Sequence, residues 1–377
     1  MPYWRLSGFY FFYFGALGIL VPFWGLYLKG LGYDALAIGQ LMAIPMATKF
    51  VAPFVWGWLG DHLGHRMRIV RIGSLLTSLI FAGVFFFTEF WPLAAAMMLF
   101  SFFWNAVLPQ FEVVTFRYLG DQAPRYAQVR AWGSIGFILT VSILGVAVDA
   151  RGPTVILPVL FAVYTGIWLS SLLVNDPDPE PHPLDQIHLW HVVRQPAVLA
   201  FFAACFLMQL GHGPYYAFYS IFMEAQGWSK TLIGQLWALG VIAEVVIFAF
   251  SHRLLHRFGA RRMLLVSFSL AAARWILIGA FPGRLSVLLA AQTLHAATFG
   301  VFHASAIHLV HRYFVGKHQG RGQALYSSIS YGAGGAVGSL AAGFLWEGAG
   351  PLTAFLAASA ISFMALLIAW RWVADAD

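Results

Sequence analysis

The 377-residue chain is 60% apolar, 17% aromatic and only 10% charged. A water-soluble protein of this composition would have too little polar surface, so most of the chain is predicted to face lipid. The formal net charge of +7 does not indicate nucleic-acid binding, because the basic residues lie in short groups between apolar runs.

Twelve apolar segments follow one another along the chain, and each is long enough to cross a bilayer as a helix. They lie at 6–28, 36–59, 67–87, 91–118, 125–148, 154–174, 196–224, 230–252, 261–281, 285–313, 319–345 and 351–373. The first is too long for the apolar part of a cleaved signal peptide and is predicted to be a membrane helix. Segment 175–195 is rich in proline and acidic residues, and it is predicted to be a cytoplasmic linker between six-helix bundles at 1–174 and 196–377.

The short loops carry an uneven distribution of lysine and arginine. With a cytoplasmic N-terminus, fifteen basic residues fall on the cytoplasmic side, and four fall on the other side: Lys29, Arg151, Lys230 and Arg284. The positive-inside rule therefore predicts that both termini are cytoplasmic. We expect a monomer in a bacterial inner membrane. The single cysteine, Cys205, cannot form an internal disulfide.

The two halves of the sequence contain an internal repeat. Gly32-Tyr33 and Ile38-Gly39-Gln40-Leu41 recur 195 residues later as Gly227-Trp228 and Ile233-Gly234-Gln235-Leu236. The loop Leu59…Gly64…Arg66 recurs at the same offset, and Asp149…Gly152-Pro153 recurs at an offset of 198 as Glu347…Gly350-Pro351. A parallel repeat of six helices predicts a transporter whose substrate site lies at the midplane between the two bundles.

Five charged residues lie within the predicted membrane segments and away from the segment ends: Lys49, Glu112, Arg130, Glu244 and Arg274. A central Lys, Arg or Asp that faced lipid would cost about 2.5–3.5 kcal/mol on insertion scales, so these residues are predicted to face the protein interior. Lys49 and Glu244 are equivalent positions in the repeat, and the symmetry axis allows them to face each other. The alternative is a static ion-pair network, but three cations against two anions favour an anion-binding site.

The segment from Gly57 to Arg66 resembles the loop signature of the major facilitator superfamily, with Gly57, Asp61, Gly64 and Arg66 in register. This resemblance implies a twelve-helix transporter made of two pseudo-symmetric six-helix bundles, in which the loop takes part in gating. The second copy of the loop has His256 in place of the aspartate. We therefore expect the second half to hold the inward gate less firmly.

Finer features resemble the branch that contains the 3-phenylpropionate permeases and is itself similar to lactose permease and the nucleoside/proton symporters. They are Tyr10-Phe11-Phe12-Tyr13, Lys49-Phe50-Val51-Ala52-Pro53, Arg130-Ala131-Trp132-Gly133-Ser134, Arg274-Trp275 and Gln292…His295…Phe299-Gly300…His303. The resemblance implies substrate roles for Glu112 and Arg130, and it makes Glu244, Arg274 and His295 counterparts of lactose permease's glutamate, arginine and histidine. One position departs from that pattern: Thr298 stands where lactose permease has a carboxylate one turn after the histidine, which excludes proton coupling through this position.

His295 and His303 are predicted to share one helix face with Phe299 between them. Either histidine could carry the proton, with Glu244 as the coupled carboxylate; the alternative is that both histidines are packing residues. Tyr10, Tyr216 and Phe299 are candidate aromatic contacts for a substrate, although most aromatic residues in such a chain contact lipid or other helices.

The sequence thus predicts proton-coupled symport, by alternating access, of a small organic anion such as an aromatic monocarboxylate. An aromatic cavity with surplus positive charge favours such a substrate. A neutral sugar or nucleoside is the alternative, since Glu112 and Arg130 together could bind hydroxyl groups. A membrane sensor or enzyme is a remote third possibility. We expect no cofactor, no metal and no nucleic-acid partner; the partners are the substrate, protons and the bilayer.

Overall fold

The computed structural model describes residues 1–176 and 190–374. Within these ranges almost the whole chain is helical and no residue is in a strand. Most of the predicted linker at 175–195 falls outside the described residues. The high apolar content explains the helices, because a backbone in lipid must satisfy its own hydrogen bonds.

Eleven long apolar helical segments are present in the described ranges. The first ten are α1 Tyr3–Gly30, α2 Ala35–Leu63, α3 Arg66–Phe86, α4 Phe90–Leu119, α5 Tyr126–Arg151, α6 Pro153–Leu172, α7 Pro196–Ala225, α8 Lys230–Phe258, α9 Ala260–Ala280 and α10 Leu285–Tyr313. The last, Gln319–Trp372, has 54 residues, which is long enough to cross a bilayer twice. Gly350, with φ 83° and ψ 172°, breaks it into α11 (319–349) and α12 (351–372). The prediction of twelve helices is confirmed.

Three of the membrane helices depart from regular α geometry in their interior. In α7 the helix stops at Gly211 and restarts at Gly213, with Pro214 in the first turn of the second part. In α10 the stretch Ala296–Val301 is π-helical, and in α11 the stretch Ser328–Gly334 is π-helical. Such π segments occur often at functional sites, and two candidate residues, Phe299 and Thr298, lie in the first of them.

The internal repeat is visible in the backbone. Gly152 has φ 78° and ψ 174° and begins the turn into α6, and its repeat mate Gly350 has nearly the same angles before α12. Only glycine adopts this conformation readily. Two more repeat pairs, Gly32 with Gly227 and Gly64 with Gly259, also have positive φ. The two halves therefore have similar main-chain geometry at three corresponding turns.

Two compact units are present. Unit 1 comprises the described residues of Met1–Tyr33, Val51–Leu184 and Ser229–Ala238; unit 2 comprises those of Asp34–Phe50, Asp185–Trp228 and Leu239–Asp377. In unit 1, α1 packs against α5 and α6, and α3 packs against α4 and α6. In unit 2, α9 packs against α10 and against the α11–α12 segment, which also packs against α7. Since α2 and α8 each contribute to both units, the division of the chain at 174 and 196 stays a prediction.

Candidate functional site

Arg274 lies on α9 in the interior of unit 2 and is 0% exposed. Its guanidinium donates to the carbonyl of Ala291 (2.8 Å) and to Gln292 Oε1 (3.2 Å). The same group donates to His295 Nδ1 (3.2 Å) and Thr298 Oγ1 (3.0 Å). All four acceptors are neutral groups on α10, so their hydrogen bonds hold the cation in place without cancelling its charge.

Two aromatic rings support the guanidinium. It lies 4.3 Å from the ring centre of Tyr215 and 4.9 Å from that of Trp275. Both rings are themselves fixed, because Tyr215 donates to Gln292 Oε1 (2.9 Å) and the Trp275 indole N–H donates to Ser362 Oγ (3.1 Å). Cation–π contacts of this kind stabilise a charge that is shielded from water. We call Tyr215, Glu244, Arg274, Gln292, His295 and Thr298 the Arg274 cluster.

The contacts of His295 define its tautomer. A guanidinium nitrogen can only donate, so Nδ1 of His295 must accept from Arg274. The proton of the neutral imidazole is then on Nε2, which lies 3.6 Å from Glu244 Oε2. His295 therefore links the cation Arg274 to the carboxylate Glu244. The sequence predicted all three as site residues, and the structure brings them together.

A row of aromatic rings continues from His295 along α10. Phe299 stacks on His295 with an interplanar angle of 15°, and His303 stacks on Phe299 at 12°. The shared face of His295 and His303 is confirmed. His303 Nδ1 lies 3.1 Å from the hydroxyl of Tyr331 and 3.3 Å from that of Tyr326, both on α11. We call these five residues the aromatic row.

Lys49 joins the aromatic row at Tyr331, because its ammonium nitrogen is 5.2 Å from the Tyr331 ring centre. Lys49, Glu244, Phe299 and Tyr331 are each partly exposed although they lie within membrane helices. Unit 2 thus presents a face that combines an ammonium, a carboxylate and aromatic rings. The direct pairing of Lys49 with Glu244 stays a prediction.

The predicted residues of the first half form a separate group in unit 1. Glu112 Oε1 accepts a hydrogen bond from Tyr126 (2.8 Å), and the guanidinium of Arg130 lies 3.4 Å from the ring centre of Phe14. Tyr10 is fully buried and donates to Thr115 Oγ1 (3.0 Å). In unit 2, partly exposed Tyr216 stacks on His212 at the break in α7. Roles in substrate binding stay predictions for all of these residues.

The segment from Gly57 to Arg66 closes the turn between α2 and α3. Arg66 is only 7% exposed and donates to Asp61 (2.5 Å) and to Gln110 Oε1 (2.6 Å) on α4. Gln110 in turn donates to the carbonyl of Trp56 (3.1 Å). Gly64 has φ +69°, which allows the tight reversal. The arginine therefore ties the turn to α4.

The second copy of this loop is held differently. Arg261, the repeat mate of Arg66, donates to the carbonyls of Trp370 and Val373 at 2.6 Å each. In the first half the corresponding carbonyls at the end of the sixth helix are bound by Arg71, which donates to the carbonyl of Val174 (2.7 Å) just after α6. In the second copy, which lacks the aspartate, the arginine thus binds main-chain carbonyls instead of a carboxylate.

Sequence reasoning missed three uncharged partners: Tyr331 against Lys49, Tyr126 against Glu112, and Gln110 against Arg66. None of them carries a charge, so none is conspicuous within an apolar segment. A signal existed only for Gln110, because a glutamine inside a membrane helix needs a partner.

The comparisons with known proteins agree with this architecture. The model of the MFS_1 like family matches residues 3–357. The chain is 32% identical over 353 residues to the probable 3-phenylpropionic acid transporter of Escherichia coli (strain K12), which covers 90% of this chain and 89% of that protein. It is 26% identical over 351 residues to the maltose permease of Geobacillus stearothermophilus, covering 90% and 86% of the two chains.

A solved structure shares the fold. The crystal structure of a mutant of the nucleoside transporter NupG matches with a TM-score of 0.88 over 99% of this chain and 100% of that chain, at 16% identity. At this identity the match concerns the fold alone. The expectation drawn from the loop signature is confirmed: the chain belongs to the MFS_1 like family of the major facilitator superfamily and is a multi-pass membrane protein of the secondary-transporter class.

Proposed function

We propose that the protein is a proton-coupled symporter of small organic anions, with an aromatic monocarboxylate such as 3-phenylpropionate as the best candidate. The observation that carries the proposal is Arg274, a fully buried cation whose four hydrogen-bond acceptors are all neutral. A buried charge is costly unless it is compensated. A substrate carboxylate would pair directly with this cation, which its neutral acceptors do not, and bidentate pairing with a guanidinium favours this group over a hydroxyl.

The aromatic row supports the proposal that the substrate contains an aromatic ring. Phe299 and Tyr331 are partly exposed, and their ring centres are 6.0 Å apart. A phenyl ring gains both apolar burial and favourable ring–ring contacts in such surroundings. Lys49 above Tyr331 offers a second cation for the carboxylate. The identity of 32% with the probable 3-phenylpropionic acid transporter points to the same class of substrate.

Proton coupling is proposed to run through His295 and Glu244. In the structure Nδ1 of His295 accepts from the guanidinium of Arg274. A substrate carboxylate that draws the guanidinium away would leave Nδ1 free to accept a proton. The resulting imidazolium would then pair with Glu244, whose Oε2 is 3.6 Å from Nε2. Substrate and proton would enter together, without the carboxylate that Thr298 replaces.

The experiment is a measurement of proton movement in sealed proteoliposomes with an internal pH dye. It compares 3-phenylpropionate with 3-phenylpropanol, which lacks the carboxylate, and with 3-cyclohexylpropionate, which lacks the aromatic ring. Protein-free liposomes correct for the free acid that crosses lipid unaided. We expect protein-dependent proton entry with the aromatic acid, a weaker response with the cyclohexyl acid and none with the alcohol.

Variants test whether the proton entry measured with 3-phenylpropionate depends on the residues of the proposed site. Lys49→Ala should weaken it, and Glu244→Gln should abolish coupled proton entry. Arg284→Ala is the matched control, because Arg284 is an exposed arginine just before α10. Equal responses to the acid and the alcohol would refute an anion site, and proton entry that persists in Glu244→Gln would refute the coupling role.

A neutral sugar or nucleoside is the second candidate. It is favoured by the group in unit 1, where Glu112 accepts from Tyr126 and Arg130 lies on Phe14. Carboxylates and aromatic rings together suit hydroxylated substrates. Proton entry with maltose or uridine but not with 3-phenylpropionate, lost in Glu112→Gln, would move the proposed site to unit 1.

We also propose that the transporter lies in a bacterial inner membrane with both termini cytoplasmic and works as a monomer by alternating access. Lysine and arginine in the short loops support this orientation.

A further inference from the structure

A carboxylate at the end of α5 binds the first turn of α8. Asp149 Oδ1 accepts from the backbone N–H of Lys230 (2.9 Å), and Oδ2 accepts from the backbone N–H (2.8 Å) and the hydroxyl (2.6 Å) of Thr231. The first N–H groups of a helix have no partner within the helix and form the positive end of its dipole. An aspartate that is far away in sequence thus completes the start of α8.

The repeat mate of this aspartate makes the equivalent contact. Glu347, near the end of α11, accepts from the backbone N–H of Ala35 (3.1 Å), the first residue of α2. Asp149 and Glu347 correspond in the repeat, and so do Lys230 and Ala35. Each helix also has a cap residue of its own, Ser229 before α8 and Asp34 before α2, so the distant carboxylates are additions.

Beside each carboxylate the two helix backbones touch. A Cβ atom on Gly39 of α2 would lie 2.7 Å from Cα of Gly343 and 2.8 Å from the carbonyl oxygen of Ser339, both on α11. The repeat mates repeat the arrangement: a Cβ on Gly234 of α8 would lie 2.6 Å from the carbonyl oxygen of Val141 on α5. We call these contacts, with their carboxylates, the α2–α11 seam and the α5–α8 seam.

Each seam combines a tight contact with a contact that water can replace. Backbones packed through glycine cannot separate gradually, because there are no side chains to fill the gap. Asp149 and Glu347 are exposed, so water can take over both the carboxylate and the freed N–H groups. If such a seam opens, the bonds of the carboxylate to the helix start are lost, so the carboxylate favours the closed arrangement.

We propose that Asp149 and Glu347 are a matched pair of latches that hold the α5–α8 and α2–α11 seams closed at their outer ends. Transport requires both latches to release. The inference rests on the proposed alternating-access function and on the predicted orientation, in which Lys230 lies on the outer side. It assigns a task to two exposed carboxylates that neither bind substrate nor carry its proton.

Two buried positions, one in each seam, can report when that seam opens. Val141 (0% exposed) lies in the α5–α8 seam, and its repeat mate Ser339 (3% exposed) lies in the α2–α11 seam. Val141→Cys or Ser339→Cys is introduced in a Cys205→Ser background. The rate of labelling by a membrane-impermeant maleimide, added outside, then measures how often that seam opens.

We expect Asp149→Ala to raise the labelling rate of Val141→Cys about fivefold, since losing a helix-capping residue changes an equilibrium by about this factor. Asp149→Asn keeps one acceptor oxygen and should have a smaller effect. Glu347→Gln and Glu347→Ala should act in the same way on Ser339→Cys. Arg151→Gln is the control, because it changes the charge at the same end of α5. Arg151 is exposed, and within the described chain it makes no hydrogen bond to α8.

Hydrogen exchange provides an independent reading for variants that fold poorly or label slowly. Amides at 230–233 should exchange faster in Asp149→Ala, and amides at 35–38 should not. Labelling and exchange rates that match those of Arg151→Gln would overturn the latch proposal. Neither measurement uses a substrate, so latch variants that respond while 3-phenylpropionate is not transported would refute the proposed substrate and leave the latches standing.

Discussion

Replacing Arg274 with lysine keeps the charge of the Arg274 cluster but removes the planar fork of N–H donors. The guanidinium makes four hydrogen bonds through Nε, Nη1 and Nη2. A lysine ammonium has three protons on one atom and cannot span acceptors on successive turns of α10, so it should keep at most two of these bonds. Since a hydrogen bond to a charged group contributes about 1.5–3 kcal/mol, the loss of two lowers the free energy of unfolding by about 3–6 kcal/mol.

Cys205 provides the assay. It is the only cysteine in the sequence and is 0% exposed in the core of unit 2, packed among α7, α9, α10 and α12. A dye that fluoresces on reaction with thiols therefore reports when this core opens during heating. At roughly 2–4 °C per kcal/mol, Arg274→Lys should lower the thermal midpoint by at least about 5 °C.

The control is Arg284→Lys, the same substitution at an exposed site, which should leave the midpoint unchanged. Binding of 3-phenylpropionate to Arg274→Lys should be weaker at the same time, because the ammonium cannot pair with a carboxylate in bidentate fashion. A variant with the wild-type midpoint and wild-type binding would refute the view that the guanidinium fork organises the cluster.

Three further substitutions test other parts of the structure. Thr298→Glu replaces a hydroxyl that accepts from Arg274 at 3.0 Å with a carboxylate that competes with the substrate anion. Anion affinity should fall at least about tenfold, or about 1.4 kcal/mol, while neutral Thr298→Gln should lose less in the same binding assay. Gly18→Ala should destabilise the protein by about 1–3 kcal/mol, because its Cβ would lie 2.7 Å from a carbonyl oxygen of α5. Gly8→Ala on the same helix meets open space and should be neutral or stabilising. Tryptophan-fluorescence melting measures both. Asp61→Asn removes the ion pair of Arg66 and should lower kcat several-fold with little change in KM, measured from initial uptake rates; an unchanged kcat would show that the turn has no part in gating.

Much of the fold could be predicted from the sequence. The length and spacing of apolar segments define membrane helices because the bilayer has a fixed thickness. The repeat paired Gly152 with Gly350, and in the structure the two have nearly the same backbone angles. The π-helical stretches in α10 and α11 could not be predicted, because they change the periodicity by a single residue in otherwise helical sequence.

The charged residues of the candidate site were the easiest to predict. Arg274, Glu244 and Lys49 are conspicuous because an ionised side chain is costly in a membrane segment and therefore indicates a functional or structural role. Tyr331 and Tyr126 are two of 14 tyrosines, and nothing in their immediate sequence distinguishes them from the others. Their importance depends on which helices pack together, as in the contact of Tyr331 with His303, 28 residues away.

The way the end of α12 is held has a consequence for producing shortened forms of the protein. Arg261 binds the carbonyls of Trp370 and Val373, and the hydroxyl of Tyr313 donates to the carbonyl of Ala374 (3.2 Å). Truncation at residue 369 would remove all three acceptors and leave an arginine and a tyrosine without them at the start of α9 and the end of α10. Truncation after Ala374 removes none of these acceptors. Expression screens should therefore find a sharp fall in yield between these two end points, although they differ by only five residues.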